Sequence, residues 1–297
     1  MTSAAETKVQ YKPKTGEGAK MNGETLKNLH LSLFGAKPES QDVDRWHTQG
    51  FVFSQNSKTL FGLIQLYGGP CGILAPVQAF VLKNLLFGER PTKTFAENDV
   101  PLKPSPEEAE AALLQSLVEI LTRAAPDGKT AVVVTGTADK EDCLCTRTFT
   151  SDKELLAFLK SHLDTLRSDI GVILFYSLVQ VMLTRGLERL RTDKDDSGSS
   201  LVARFGHCSQ ELVNLVLSGS AVTNVFDGRK VIGGDPSDPS AYALKGISKQ
   251  NVVGFLTLLE ALRYSSVGSF YKTPALPVWV VGSSSHYTVL FSLDKCV

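Results

Sequence analysis

The stretch Gln65-Leu66-Tyr67-Gly68-Gly69-Pro70-Cys71 constrains this chain more than any other. Two glycines followed by a proline cannot lie inside a helix, because glycine loses too much backbone freedom there and proline has no N–H to donate. Directly after them, CGILAPVQAFVLKNLLF places Leu74, Val77, Val81 and Leu85 on one face at helical spacing. Cys71 is therefore predicted where a loop enters a core helix. The positive end of the helix dipole favours a thiolate over a thiol, so the position suits a nucleophilic cysteine. The small residues on either side leave room for a substrate backbone. Gln65, six residues earlier, could turn its amide toward an oxyanion forming near the sulfur. The structural alternative is a small buried cysteine at a tight turn, since free cysteine is commonly buried.

A thiolate needs a base, and five histidines are available: His30, His47, His162, His207 and His286. His30 and His162 sit in amphipathic helical segments among charged residues and read as solvated surface. His47 follows Trp46 and reads as packing. His207 lies in Gly-His-Cys-Ser-Gln, where a role at a helix N-terminus is plausible. His286 differs, because it begins the strand pattern HYTVLFS immediately after a serine loop. Strand alternation puts His286, Thr288 and Leu290 on one face and Tyr287, Val289 and Phe291 on the other. An imidazole at a strand mouth facing a helix-borne cysteine is the papain-like arrangement.

The rest of the chain supplies a scaffold. Its 297 residues are 42% hydrophobic, with 31 basic against 31 acidic side chains. Disorder and fibrous repeats are excluded for most of the length, and zero formal charge argues against a duplex-DNA binder or a polybasic membrane-surface protein. The longest apolar run, 170–183, has 14 residues including Ser177 and Gln180. That is short of the roughly 20 needed to span a bilayer, so it reads as a buried helix. No apolar signal core precedes it. The five cysteines are sparse, and Cys143 and Cys145 have no second pair to complete a zinc site. A reducing compartment with free thiols is expected, the cytosol or nucleus, with no metal and no cofactor.

Residues 1–22 are polar and read as a flexible leader, with a single catalytic domain over 23–297. Helices are predicted over 26–34, 71–87, 155–166, 170–190, 209–217 and 252–262. Ser105 with Pro106 and Glu108 forms a capping box ahead of a helix burying Leu113, Leu117, Ile120 and Leu121, and Ser151 with Glu154 repeats the motif. Strands are predicted at 51–53, 61–65, 131–134 and 145–149, and over 277–293 as a pair joined by 282–285. Loops fall at 88–104, 192–200 and 231–240. Helices dominate the middle and strands the end, which gives one α+β domain.

Three blocks, GGPCGILAPVQAFVLKNLLF, GHCSQELVNLVLSGSAVTNVFD and TPALPVWVVGSSSHYTVLFSL, resemble the catalytic core of the MINDY deubiquitinases, in the branch long known only as a domain of unknown function. The resemblance runs over roughly residues 45–297, with the blocks in the family's order. It implies a papain-like cysteine protease of the MINDY type, helix-rich with a terminal β-hairpin. It also implies that Cys71 is the nucleophile, that Gln65 helps form the oxyanion hole and that His286 is the base. The implied reaction is hydrolysis of isopeptide bonds in polyubiquitin, with preference for K48-linked chains. The partners implied are ubiquitin and its chains, with no nucleic acid and no membrane, and a monomer is expected.

Two features depart from the family pattern. Pro76 stands where alanine is usual, so either the regular helix starts later, with Pro76 near its first turn, or it is kinked. Papain-like enzymes orient their histidine with an Asn or Asp on a later strand. Here Asp294, eight residues on, lies about 26 Å away along a straight strand at about 3.3 Å per residue. Thr288, on the face of His286, is the better orienting candidate, against its ordinary reading as a β-branched strand residue. Two other functions compete: a catalytically inactive ubiquitin-binding module on the same scaffold, and an acyltransferase or transglutaminase-like Cys-His enzyme.

Overall fold

The computed structural model describes residues 18–47, 49–66, 68–89, 102–135, 144–163, 173–233, 241–283 and 286–295. Strand β1 (Ala19–Lys20) precedes helices α1 (Gly23–Phe34), α2 (Ser40–His47), α3 (Cys71–Phe87) and α4 (Pro106–Ala124). Then come β2 (Ala131–Thr135), β3 (Cys145–Phe149), α5 (Asp152–Ser161), α6 (Ile173–Arg185), α7 (Leu187–Asp193) and α8 (Gln210–Ser218). The chain continues through β4 (Arg229–Val231), β5 (Ala243–Lys245), β6 (Gly254–Thr257), α9 (Leu258–Ala261), α10 (Ser269–Lys272), β7 (Val278–Gly282) and β8 (Tyr287–Phe291). This is a mixed α+β arrangement, as the alternating patterns predict.

Helix α3 is the central post. The sequence offers one apolar stripe, yet α3 buries residues on every side, Phe80, Val81 and Ala79 among them at 0% exposure. A helix apolar all round belongs in the interior. It is flanked by α4, by α8 and by the pair β7–β8. Helix α4 begins as its sequence dictates: the Ser105 side chain accepts from the Glu108 N–H and Glu108 returns a bond to the Ser105 N–H. The N-cap of α5 has the Ser151 half of the same motif.

Three small sheets surround this post. β3 lies between β1 and β2, β4 pairs with β5, and the third sheet runs β6-β7-β8. β6 and β7 are parallel, joined through α9 and α10, while β7 and β8 form an antiparallel hairpin.

Several elements differ from expectation for identifiable reasons. The segment expected as a helix over 252–262 is strand β6 followed by the four-residue α9. Its Val-Val-Gly-Phe start is a short buried run, which periodicity alone cannot separate from a helix. Gly254 accounts for it: a Cβ there would stand 2.3 Å from the Trp279 ring on β7, so the ring takes the space of a side chain where β6 pairs with β7. Within 170–190, the residues described break at Gly186, whose φ of 87° ends α6 and starts α7. The strands expected at 51–53 and 61–65 reduce to a single bridge, Phe53 with Leu63.

The 192–200 stretch is less exposed than its polarity suggests. Asp193 accepts from Arg185 and from the Ala221 N–H, and Asp195 takes Asn224 and the Lys245 N–H. Half-buried carboxylates bound this way tie three segments together. Residues 18–22 belong to the fold rather than to a leader. Ala19–Lys20 pairs with β3, Met21 is in the core and Asn22 caps α1. Most of the 88–104 and 231–240 loops, and Cys143, lie outside the described residues. Among the described residues no helix is long and apolar enough to cross a membrane, and no group of three or more His, Cys, Asp or Glu could hold a metal.

Candidate active site

Cys71 is the first residue of α3, 5% exposed, with Pro70 as a cap that supplies no side-chain bond. The helix runs through Pro76 from Cys71 onward, so Pro76 does not delay its start. The Ile73 and Leu74 amides turn back to the Pro70 carbonyl at 2.9 and 3.1 Å, which leaves the first two amides of the helix for the sulfur. Gly69 enters this turn at φ +123°, and a Cβ on it would come within 3.0 Å of the Gly206 carbonyl oxygen. Backbone conformation and space both demand glycine there.

The second wall is the β7–β8 hairpin. Gly282 pairs with Tyr287, and Ser283 donates to the His286 carbonyl at 2.8 Å across the turn. Hydrogen-bonded and open pairs alternate in an antiparallel ladder. The Tyr287 amide therefore points off the free edge of the sheet, toward α3. It meets Cys71: the Tyr287, Gly72 and Cys71 backbone N–H groups all act on the sulfur and favour the thiolate. Burial opposes them and prevails, leaving the Cys71 thiol above its ordinary pKa.

The Tyr287 ring fills the corner between helix and hairpin. A Cβ on Gly72 would lie 3.2 Å from it, and one on Gly282 3.1 Å. Cys208, just before α8, closes the site from the third side. Its sulfur lies 3.7 Å from the Gly69 carbonyl oxygen that Cys71 Sγ also faces, at 3.9 Å. Burial pushes the Cys208 thiol, and the Tyr287 hydroxyl, well above their ordinary values. The Gly72 and Ile73 amides also act on Cys208, but burial outweighs them; the amide from β8, that of Tyr287, acts on Cys71.

His286, the residue before β8, and Thr288 on it are exposed, and the inward alternation of Tyr287, Val289 and Phe291 is the predicted one. Asp294 lies beyond the far end of β8, three residues past Phe291. Gln65 is half-buried, and its backbone is held on both sides by one residue that pattern reading missed. Gln49, at 0% exposure, donates to the Ile64 carbonyl at 3.3 Å and accepts from the Leu66 amide at 2.7 Å. Gln78 on α3 adds a second clamp, accepting from the Leu63 amide at 2.5 Å and donating to the Phe61 carbonyl at 3.0 Å. The Gln65 segment is thereby tied to the helix that starts with Cys71.

The other histidines stand elsewhere. His30 packs at 5.8 Å on Phe34, and His162 stacks on Phe158 at 4.2 Å with Nδ1 on the Phe158 carbonyl, so neither is merely solvated. His207 is exposed and its carbonyl accepts from Ala203; Ser209, not His207, caps α8. The His47 side chain lies outside the described residues.

A family model described as "Deubiquitinating enzyme MINDY-3/4, conserved domain" matches residues 31–297. The human protein named ubiquitin carboxyl-terminal hydrolase MINDY-3 is 37% identical over 315 residues, 92% of this chain and 66% of that relative. Its bovine counterpart is 37% identical over 290 residues, 85% of this chain and 61% of the relative. A Xenopus tropicalis protein named probable ubiquitin carboxyl-terminal hydrolase MINDY-4 is 36% identical over 266 residues, 85% of this chain and 34% of the relative. The chain thus spans less than two thirds of the curated relatives it matches. No solved structure matches it. With a start-of-helix cysteine and a strand-mouth histidine inside the matched region, the chain belongs to the MINDY-3/4 family of deubiquitinating-enzyme domains.

Proposed function

We propose that this chain is a cysteine-protease deubiquitinase of papain-like design that hydrolyses isopeptide bonds in polyubiquitin. The observation that carries the reading is the meeting, at the Cys71 sulfur, of the first turn of α3 with the amide that follows His286. Cys71 is the nucleophile. His286 takes the thiol proton, and the thiolate attacks the terminal glycine carbonyl of ubiquitin. Gln65 and a backbone N–H hold the oxyanion. The C–N bond then breaks as His286 gives its proton to the departing lysine amine. Water hydrolyses the resulting thioester, releasing ubiquitin and regenerating the thiol. Thr288 orients the imidazole from the same strand face. The setting is the cytosol or nucleus, and the working unit a monomer.

Gln65→Ala should slow kcat by about 10²–10³ with little change in ubiquitin affinity, as loss of an oxyanion donor does. Thr288→Val keeps the strand shape and deletes only the hydroxyl. It should lower kcat with the melting temperature kept. Steady-state rates and binding titrations on both variants check this; wild-type kcat in either one removes that residue from the mechanism.

Every isopeptide link presents the same ubiquitin tail to Cys71, so linkage choice must come from where the second ubiquitin sits. The stretches 88–104, 192–200 and 222–239, turn-rich in sequence, are candidates, since binding concentrates on loops. We expect K48-linked chains to be cut faster than K63-linked or linear ones. Longer chains should be cut faster than dimers, because added ubiquitins raise the effective concentration. A panel of purified dimers and tetramers at equal enzyme tests both. Equal cleavage of all linkages would leave the protease and sink the preference.

An inactive ubiquitin-binding module is the second reading, favoured by the burial that holds the Cys71 thiol protonated. A ubiquitin probe with a C-terminal electrophile separates the two, since only an active thiol forms the adduct.

A further inference from the structure

Phe205 sits where a phenylalanine is out of place by every local rule. It lies in a short 3₁₀ turn, Arg204–Gly206, at the tip of the reversal that pairs Val202 with Cys208. Its backbone is left-handed, φ 65° and ψ 20°, a region that bulky residues rarely occupy. The residue is 62% exposed. Glycine or asparagine would make this turn without strain and without holding an apolar ring in water.

The conformation is fixed from outside. Arg45 Nη1 donates to the Phe205 carbonyl at 2.9 Å, and the buried Trp46 Nε1 donates to the Gly206 carbonyl at 3.2 Å. The same Gly206 carbonyl faces Gly69, where an added Cβ would come within 3.0 Å of it. The Gly69 carbonyl in turn faces the Cys71 and Cys208 sulfurs at 3.9 and 3.7 Å. The strained turn and the loop carrying the nucleophile are therefore one rigid wall. Strain persists only where the surroundings over-determine it, and it gathers at ligand clamps. The ring also already takes a guanidinium: Arg204 Cζ stands 5.6 Å from its centroid.

We infer that Phe205 is a substrate-contacting residue whose exposed ring receives the extended, arginine-bearing C-terminal tail of the donor ubiquitin on its way to Cys71. The inference rests on the deubiquitinase reading and deepens it. An aromatic face binds the aliphatic stem and guanidinium of a tail arginine through apolar contact and cation–π attraction. It acts on binding and leaves the chemical step to Cys71 and His286.

The test uses ubiquitin carrying a C-terminal fluorogenic amide, which has the donor tail and no acceptor ubiquitin. Phe205→Gly and Phe205→Asn both suit left-handed backbone, so the fold is kept and melting temperature should be unchanged or raised. Each should raise KM about tenfold or more, as loss of an aromatic contact does, with kcat within about twofold. Phe205→Tyr should restore KM. A wild-type KM in both variants would overturn the inference, as would a defect seen only on di-ubiquitin, which would place the ring on the acceptor side. A melting temperature that falls in both variants, with Tyr failing to restore KM, would make Phe205 a structural residue and overturn it equally. A wild-type chain inactive both on this substrate and on ubiquitin tetramers overturns the deubiquitinase reading along with it.

Discussion

Cys71→Ala should abolish ubiquitin cleavage, by about 10⁴-fold or more, because removing a nucleophile removes the covalent route altogether. The fold should survive. Cys71 is buried at the first helical position, and alanine is a good helix former that deletes one sulfur atom. Melting temperature and ubiquitin binding are therefore expected to stay near wild type, which separates lost chemistry from lost structure. The same residue gives a pH test. Burial raises the Cys71 thiol above its ordinary value, so at neutral pH it carries less thiolate than a free cysteine. Alkylation of the resting protein by iodoacetamide should be slow at pH 7 and rise about tenfold per pH unit until the raised value is passed. A pH-independent alkylation rate across the neutral range would contradict that assignment.

Gly72→Ala should be nearly as damaging, though it touches no reacting atom. A Cβ on Gly72 would stand 2.4 Å from Cys208 Cβ and 2.6 Å from its sulfur, with the Tyr287 ring at 3.2 Å. Atoms cannot remain at those distances, so the start of α3 must separate from α8, from β8 or from both. Overpacking of this kind typically costs about 1–3 kcal/mol of stability. The larger loss is catalytic, because β8 carries His286 and α3 carries Cys71. A displacement near 1 Å between reacting groups costs about 10² in rate. The double variant Gly72→Ala with Cys208→Gly removes the two closest contacts and should recover most of the stability and part of the activity. Thermal melts and kcat/KM on the single and double variants decide it. Additive losses, with no recovery, would mean that the Gly72–Cys208 contact does not set the site.

Local chemistry made much of this legible in the sequence. Ser105 with Pro106 and Glu108, Ser151 with Glu154, and the alternation after His286 each have a mechanism that acts within a few residues, and the capping serines and the alternation appear as expected. What escaped depends on contacts between distant segments. β6 reads as a helix until Trp279 is seen against Gly254. The polar 192–200 stretch reads as free loop until Arg185 and Asn224 are seen on its carboxylates. The site divides the same way. Cys71 announces itself through the glycines and proline before it, and His286 through its serine loop. Gln49, Gln78, Cys208 and Tyr287 carry no such signal. Their roles come from reaching the Gln65 segment or Gly72 across 15 to 215 residues of sequence, Gln49 through the Ile64 carbonyl and Leu66 amide and Gln78 through the Leu63 amide.

The most direct measurement is the site of modification by ubiquitin bearing a C-terminal electrophile. Incubated with the full chain, the probe should give one adduct, heavier by one ubiquitin, and peptide mapping should place it on Cys71. Cys208, though its sulfur shares the Gly69 carbonyl with Cys71, should remain unmodified because it packs against Gly72 and lacks the Tyr287 amide that acts on Cys71. An adduct on Cys208, or one that persists in Cys71→Ala, would contradict the account.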